Sequence, residues 1–207
     1  MSARPPRLPT FDELYRQIAA LPEHVTGQIL RPGVLTTMSR PGVAHQLAES
    51  MIEEAVRSFD AKKGGRGWWI LREVEVRFPV DLLAVPDLAG WRVETVPELP
   101  RDNPLLVVPE WCCEVLSRST EKDDRLLKLQ LYADAGVRWT WLVDPDLGTV
   151  EVFEAVAHRP VRVAFARDHE TPVLPPFEVI TEIGRWWMPT PAAATVAASG
   201  IVGSTER

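Results

Sequence analysis

The segment Glu110–Pro145, EWCCEVLSRSTEKDDRLLKLQLYADAGVRWTWLVDP, decides the fold. EWCCEVL has the alternation of a strand, with Trp111, Cys113 and Val115 on one face and Cys112, Glu114 and Leu116 on the other. TEKDDRLLKLQLYADAG is the best helix in the chain. Thr120 with Asp123 fits a capping box, Leu127, Leu131 and Ala135 form a packing stripe, and Gly136 is a natural C-terminal stop. WTWLVD then reads as a second strand. A strand–helix–strand run predicts a crossover between parallel strands. The fold class is therefore α/β (α+β), with a mixed central β-sheet flanked by helices.

Upstream, Thr10 and Glu13 form a second capping-box pattern at the start of FDELYRQIAAL, a helix that Pro22 closes. GQILRPGVLTTMS reads as a hairpin turning at Arg31-Pro32-Gly33. A further helix is predicted from Val43 to Ser58, followed by a flexible break at KKGGRG. WILREVEVRF reads as one strand with Val74, Val76 and Phe78 inward and Glu73, Glu75 and Arg77 outward. Pro79 leads into the short strand VDLLAV, which stops at Pro86-Asp87. Leu88 to Val108, rich in proline and charge, reads as a long surface loop. Downstream, TVEVFEA and RPVRVAFA are strands, and PPFEVITEIGRWW packs as a short helix or strand. The expected organisation is a flexible N-terminus over 1–9, a single domain over 10–188 and a disordered tail over 189–207.

The 207 residues carry 23 basic and 29 acidic side chains, net −6, which argues against coating nucleic acid by bulk electrostatics. It leaves open an enzyme that cuts nucleic acid, whose site must itself gather carboxylates. No apolar run approaches the roughly 20 residues of a membrane helix. The opening MSARPPRLP lacks a signal peptide's apolar core, so a cytoplasmic protein is expected, with no membrane partner. Cys112 and Cys113 are adjacent; strand neighbours point to opposite faces, so they read as small buried residues rather than a disulfide or zinc framework. The eight tryptophans read as core and rim residues.

Two acids stand in apolar surroundings: Asp87 at the end of LLAVP and Glu114 inside CCEVL. A carboxylate there is costly unless it pairs, is protonated or binds a metal. On neighbouring strands the two would form a small negative pocket suited to Mg2+ (or Mn2+), which accepts one or two carboxylates and keeps several waters. Asp124, Lys128 and Tyr132 lie at i, i+4 and i+8 on the helix, so the Lys128 ammonium could reach those acids, anchored by Asp124 and supported by the Tyr132 hydroxyl. Lysine occurs at only four positions, which gives Lys128 added weight. Each feature also has a structural reading: Asp87 as a turn or cap residue, Glu114 paired with an arginine, Asp124–Lys128 as an exposed helix pair, and His45 as a capping or core histidine.

Together the residues VPD (85–87), EVLSRST (114–120), DRLLKLQLYADAGV (124–137) and WTWLVDP (139–145) make the chain resemble the Uma2 family, a domain of unknown function in the PD-(D/E)XK restriction-endonuclease-like superfamily. MSRPGVAHQ (38–46) is similar to that family's Ser-Pro…His segment, and the resemblance runs from about Thr10 to Pro189. It implies a restriction-endonuclease-like fold with Asp87 and Glu114 as metal ligands and Asp87, Glu114 and Lys128 as the catalytic set. Many superfamily members place the lysine two residues after the glutamate, which here is Leu116; the resemblance puts it on the next helix, at Lys128. Gln28 stands where relatives carry a glutamate in the first hairpin, and Arg118 replaces a proline in Ser117-Arg118-Ser119-Thr120. Ser117, Arg118 and Ser119 are expected to line the approach. The implied function is a Mg2+-dependent endonuclease hydrolysing DNA, and since superfamily members often dimerise to cut both strands, the resemblance also implies a homodimer. The rival readings are a catalytically silent nuclease-fold protein acting as an interaction or regulatory module, and a nuclease subunit whose partner supplies DNA affinity.

Overall fold

In a computed structural model, residues 7–38, 41–64 and 67–189 are described. Helix α1 (Phe11–Ala19) leads to strands β1 (Thr26–Arg31) and β2 (Val34–Met38), helix α2 (Val43–Val56), and strands β3 (Trp68–Arg72), β4 (Val76–Phe78), β5 (Leu82–Ala84), β6 (Leu88–Arg92) and β7 (Trp111–Val115). Helix α3 (Glu121–Asp123), a π-helical stretch Asp124–Lys128 and helix α4 (Leu129–Ala135) follow without interruption. Strands β8 (Trp139–Asp144), β9 (Thr149–Val156), β10 (Arg159–Arg167), β11 (Val173–Leu174) and β12 (Val179–Ile180) and a 3-10 turn at Ile183–Trp186 complete the described chain.

The architecture is mixed α/β. A six-stranded sheet has the order β10-β9-β8-β7-β6-β3, with β7 and β8 parallel and every other pair antiparallel. The crossover predicted from Glu110–Pro145 is this β7–β8 pair. A second sheet, β2-β1-β5-β4, carries the predicted hairpin. The alternation in β7 splits its side chains between two cores. Trp111, Cys113 and Val115 pack with Ala48, Ile52 and Val56 of α2 and with Phe177 and Trp186. Cys112, on the opposite face, packs with Leu131 and Tyr132 of α4 and with Val76, Phe78 and Ala84 from the small sheet. The tryptophans serve packing: Trp111 meets Trp141 and Phe177 edge-on, with centroids 5.2 and 4.8 Å apart. α1, closed by the Thr10–Glu13 capping box, lays Phe11, Leu14 and Ile18 over Ile29 and Leu83.

Three expectations need correction. WILREVEVRF is not one strand. It divides at Glu73, whose φ of 45° is left-handed, so β3 joins the large sheet and β4 the small one. Alternation of polarity continues across the break and therefore conceals it. The Glu73 N–H is spent on the Asp87 carbonyl at 3.1 Å. Leu88–Arg92 is not the start of a surface loop but a buried strand between β3 and β7. Its Ala89 and Gly90 have low strand propensity, yet the small side chains leave room for Trp68 and Trp111, which a Cβ on Gly90 would meet at 3.2 and 3.0 Å. Thr120 forms no capping box: its backbone is already near-helical, and its hydroxyl pairs with Ser117 at 3.0 Å. The C-terminal end behaves as predicted, with Gly136 left-handed at φ 90°.

Most of the expected flexible N-terminus (1–6), Gly65 and Arg66 of the expected break, Ser39 and Arg40 of the 38–46 segment, and 190–207 of the expected tail lie outside the described residues.

Candidate active site

The site forms where the C-terminal end of β7 meets the N-terminal end of β6. Asp87 follows Pro86 and directly precedes β6. Its Oδ2 accepts the Val115 backbone N–H at 2.6 Å, and its Oδ1 lies 3.1 Å from His45 Nε2. Asp87 is thus a tie between strand ends and α2, rather than a cap of its own turn. His45, in the first turn of α2, is buried. Burial pulls its imidazolium pKa down, but the hydrogen bond and charge of Asp87, aided by Glu49 and Asp124, outweigh this and raise it above the usual histidine value.

Glu114 is buried within β7, and among the described residues its partners are Lys128 and Tyr132 rather than an arginine. Its Oε2 accepts from Lys128 Nζ at 2.7 Å and its Oε1 from the Tyr132 hydroxyl. Lys128 Nζ also lies 3.1 Å from Asp124 Oδ1. Asp124, Lys128 and Tyr132 are 1, 2 and 0% exposed, so the helical row is an internal charge cluster, not an exposed helix pair. The π-helical stretch begins at Asp124 and ends at Lys128, both buried on the sheet side.

Charge balance explains the titration behaviour. Burial pushes the Glu114 carboxyl up to about 8, against the pull of Lys128 and with further help from Asp124 and Asp87. Burial also dominates the upward shift of Asp124. Burial opposes the Lys128 charge, but Glu114, Asp124 and Asp87 outweigh it, so its pKa lies above the ordinary lysine value. One ammonium and one imidazole face three carboxyl groups here. The surplus negative charge is relieved when the most deeply buried acid, Glu114, holds a proton.

A cavity of about 110 Å³ opens onto this cluster and is lined by His45, Asp87, Glu114, Asp124 and Lys128, with Ser117 and Ser119 at its wall. The Ser117 hydroxyl lies 3.0 Å from those of Ser119 and Thr120. Thus Asp87, Glu114, Lys128, Asp124, His45, Ser117 and Ser119 line one cavity, and Tyr132 supports it through Glu114. Arg118 points elsewhere. It is 95% exposed, 3.5 Å from Asp146, and lines a different depression, so the expectation that it lines the approach is incorrect. Gln28 is fully buried but borders a neighbouring cavity; its Nε2 donates to the Met38 sulfur at 2.8 Å and its Oε1 accepts the Val85 N–H at 3.2 Å.

Glu73 lines the acidic cavity too and was absent from the sequence-derived set. Within an alternating strand it belongs to the solvent face; only its left-handed backbone brings it to the site.

The donors match a hard divalent cation in type. Each carboxylate oxygen of Asp87 and Glu114 already has a protein partner but keeps a second lone pair, and magnesium takes only one or two carboxylates alongside water. Among the described residues, no three His, Cys, Asp or Glu side chains are grouped so as to hold a metal by themselves. A cation held here would have to take most of its ligands from water.

A search of curated proteins finds no match. Among solved structures, one described as "a putative nuclease belonging to DUF820 from Anabaena variabilis" superposes with a TM-score of 0.65 at 21% sequence identity, covering 86% of this chain and 98% of that one. At that identity the likeness concerns the fold. No helix among the described residues is long and apolar enough to cross a membrane. The family model for Uma2, described as "Putative restriction endonuclease", matches residues 12–183, and the chain belongs to the Uma2 family.

Proposed function

We propose that this protein is a Mg2+-dependent endonuclease that hydrolyses phosphodiester bonds in DNA. The observation that carries this reading is the convergence of Asp87, Glu114 and the Lys128 ammonium on one cavity. Asp87 and Glu114 would hold the ion, which when bound supplies Lewis-acid polarisation of a phosphoryl oxygen and a more acidic water.

The protein's own groups have separate tasks. The Val115 N–H and His45 hold the Asp87 carboxylate in one orientation, and Tyr132 and Lys128 do the same for Glu114. Lys128 is a fixed positive charge, because its neighbouring acids disfavour loss of its proton. It orients the attacking water and offsets negative charge that develops on the phosphate as the new P–O bond forms and the old one breaks. Preorganised charge of this kind is worth about 10²–10³ in rate. The Ser117–Ser119–Thr120 hydroxyls are neutral hydrogen-bond donors for the phosphate.

Incubating plasmid and oligonucleotide DNA with the protein in Mg2+ or Mn2+ tests the reading. Cleavage should be metal-dependent and absent in Asp87→Ala. A catalytically silent interaction module is the second reading. It is favoured by Glu114, whose two oxygens are both engaged and whose carboxyl holds its proton to about pH 8. Equal traces from parent and variant, with no metal binding by calorimetry, would select it.

A further inference from the structure

Beside the acidic cavity lies a second one of equal size, about 110 Å³, and the two share Met38, Ser119, Thr120 and Lys128 as a common wall. Their chemistry differs sharply. The first carries His45 and four carboxyl groups, whereas the second is lined by Gln28, Thr36, Thr37, Ser119 and Thr120 together with Leu30, Met38 and the shared Lys128, and among the described residues Asp123 is its one acid. The β1–β2 hairpin forms one side and the loop entering α3 the other.

Two features distinguish this second cavity from a packing defect. A defect would be lined by apolar groups throughout, whereas here Gln28, Thr36, Ser119, Thr120 and Asp123 stand beside Leu30 and Met38. Gln28 is fully buried, and its amide donates to the thioether of Met38, a weak acceptor. Met38 itself is only partly buried and unbranched, so it can move aside and let a better acceptor reach the amide.

Resting on the endonuclease reading, we propose that this second cavity is a subsite for one unpaired nucleobase, next to the phosphate held in the acidic cavity. A ring edge with donors and acceptors matches the amide and hydroxyl-bearing residues of the lining, whereas a phosphate would meet Asp123 while the one cation lining the cavity among the described residues, Lys128, is already paired to Glu114 and Asp124. The volume accommodates a single ring system and excludes a base pair, so the flanking nucleotide enters unstacked and unpaired. Asp123 accepts from an exocyclic amine, the pairing a carboxylate makes with cytosine. The substrate class is accordingly single-stranded DNA, or duplex opened at the cut site, with cytosine preferred over thymine at the flanking position.

The test uses the full chain and fluorescein-labelled oligonucleotides: dC12, dT12 and a 12-base-pair duplex. Anisotropy in Ca2+ reads binding without turnover, and cleavage in Mg2+ or Mn2+ is followed in parallel. Binding to dC12 should exceed that to the duplex by at least about tenfold. Thr36→Met, which fills the cavity, should remove that difference, and Asp123→Asn should erase the dC12-over-dT12 preference. Thermal melting checks that both variants fold, and Asp123→Asn, on a partly exposed helix position, provides the second route if Thr36→Met does not. Equal binding of single strand and duplex, or single-strand preference unchanged in both folded variants, overturns the subsite. Cleavage that still depends on Asp87 would leave the endonuclease reading standing in that case. Loss of all binding and cleavage in the parent protein would remove both.

Discussion

Replacing Lys128 by methionine keeps an unbranched apolar stem in the same buried space but removes the ammonium that neutralises Glu114 and Asp124. Both acids are 1% exposed, so neither can recover hydration without opening the fold. Breaking a buried ion pair on one side costs about 3–5 kcal/mol. The penalty should depend on pH, because the orphaned acids can escape it by taking up protons. Glu114 already titrates near 8 with Lys128 present, and loss of the cation moves it higher still. At pH 8.5 the full cost of about 3–5 kcal/mol is expected; at pH 5.5, where both carboxyl groups are easily neutral, the cost should fall to less than half of that. For a protein of this size, 3–5 kcal/mol corresponds to a melting-temperature drop of about 6–20 °C. Urea titrations of parent and variant at both pH values measure it. Adding Glu114→Gln should recover part of the loss at pH 8.5, since the amide has no charge to strand. A variant as stable as the parent at pH 8.5, or a loss of equal size at both pH values and indifferent to Glu114→Gln, would refute the account of a cation sharing surplus negative charge.

The parent itself should lose stability as pH rises through the neutral range. Glu114, Asp124 and His45 all have folded pKa values above their unfolded ones, so the folded state holds protons that the unfolded chain has released, by an amount on the order of a few kcal/mol between pH 4.5 and 8. Melting temperature should therefore be higher at pH 5.5 than at pH 8.5, and Glu114→Gln should flatten the slope; a rise with pH would contradict it. Glu73→Gly should be neutral or stabilising by up to about 1 kcal/mol, since it removes a Cβ from a left-handed backbone, while Glu73→Val should cost about 1–3 kcal/mol; chemical denaturation separates the two. Gly90→Ala should cost about 1–3 kcal/mol, because the new methyl meets Trp111 and Trp68 rings that are locked by neighbours, and it should shift tryptophan fluorescence. If Gly90→Ala is silent in both measurements, the tight Trp68–Gly90–Trp111 packing is not real.

The two corrected strands show where one-dimensional reading stops. Alternation reports which residues share a face of extended chain, and it did so correctly for β7, where Cys112 and Cys113 enter different cores. It is blind to a single left-handed residue, so β3 and β4 read as one strand and Glu73 read as surface. Ala89 and Gly90 carry little strand propensity, and only the rings of Trp68 and Trp111 around them explain why β6 is buried there. That Asp87 and Glu114 need partners was legible because an acid in apolar surroundings is costly in any fold.

From its linear order the protein determined the capped start of α1 at Thr10, the stop of α4 at Gly136, the parallel β7–β8 crossover, and the demand that Asp87 and Glu114 find partners. Capping groups, glycine stops and hydrophobic periodicity act over a few residues, so they need no distant neighbour to express themselves. Tertiary structure alone decided which partners those acids found: His45 and the Val115 N–H for one, Lys128 and Tyr132 for the other, with Arg118 turned away and Glu73 turned in. Charge pairing, burial and a cavity shared by five separate segments depend on distances through space, and those exist only once the sheets and helices have packed.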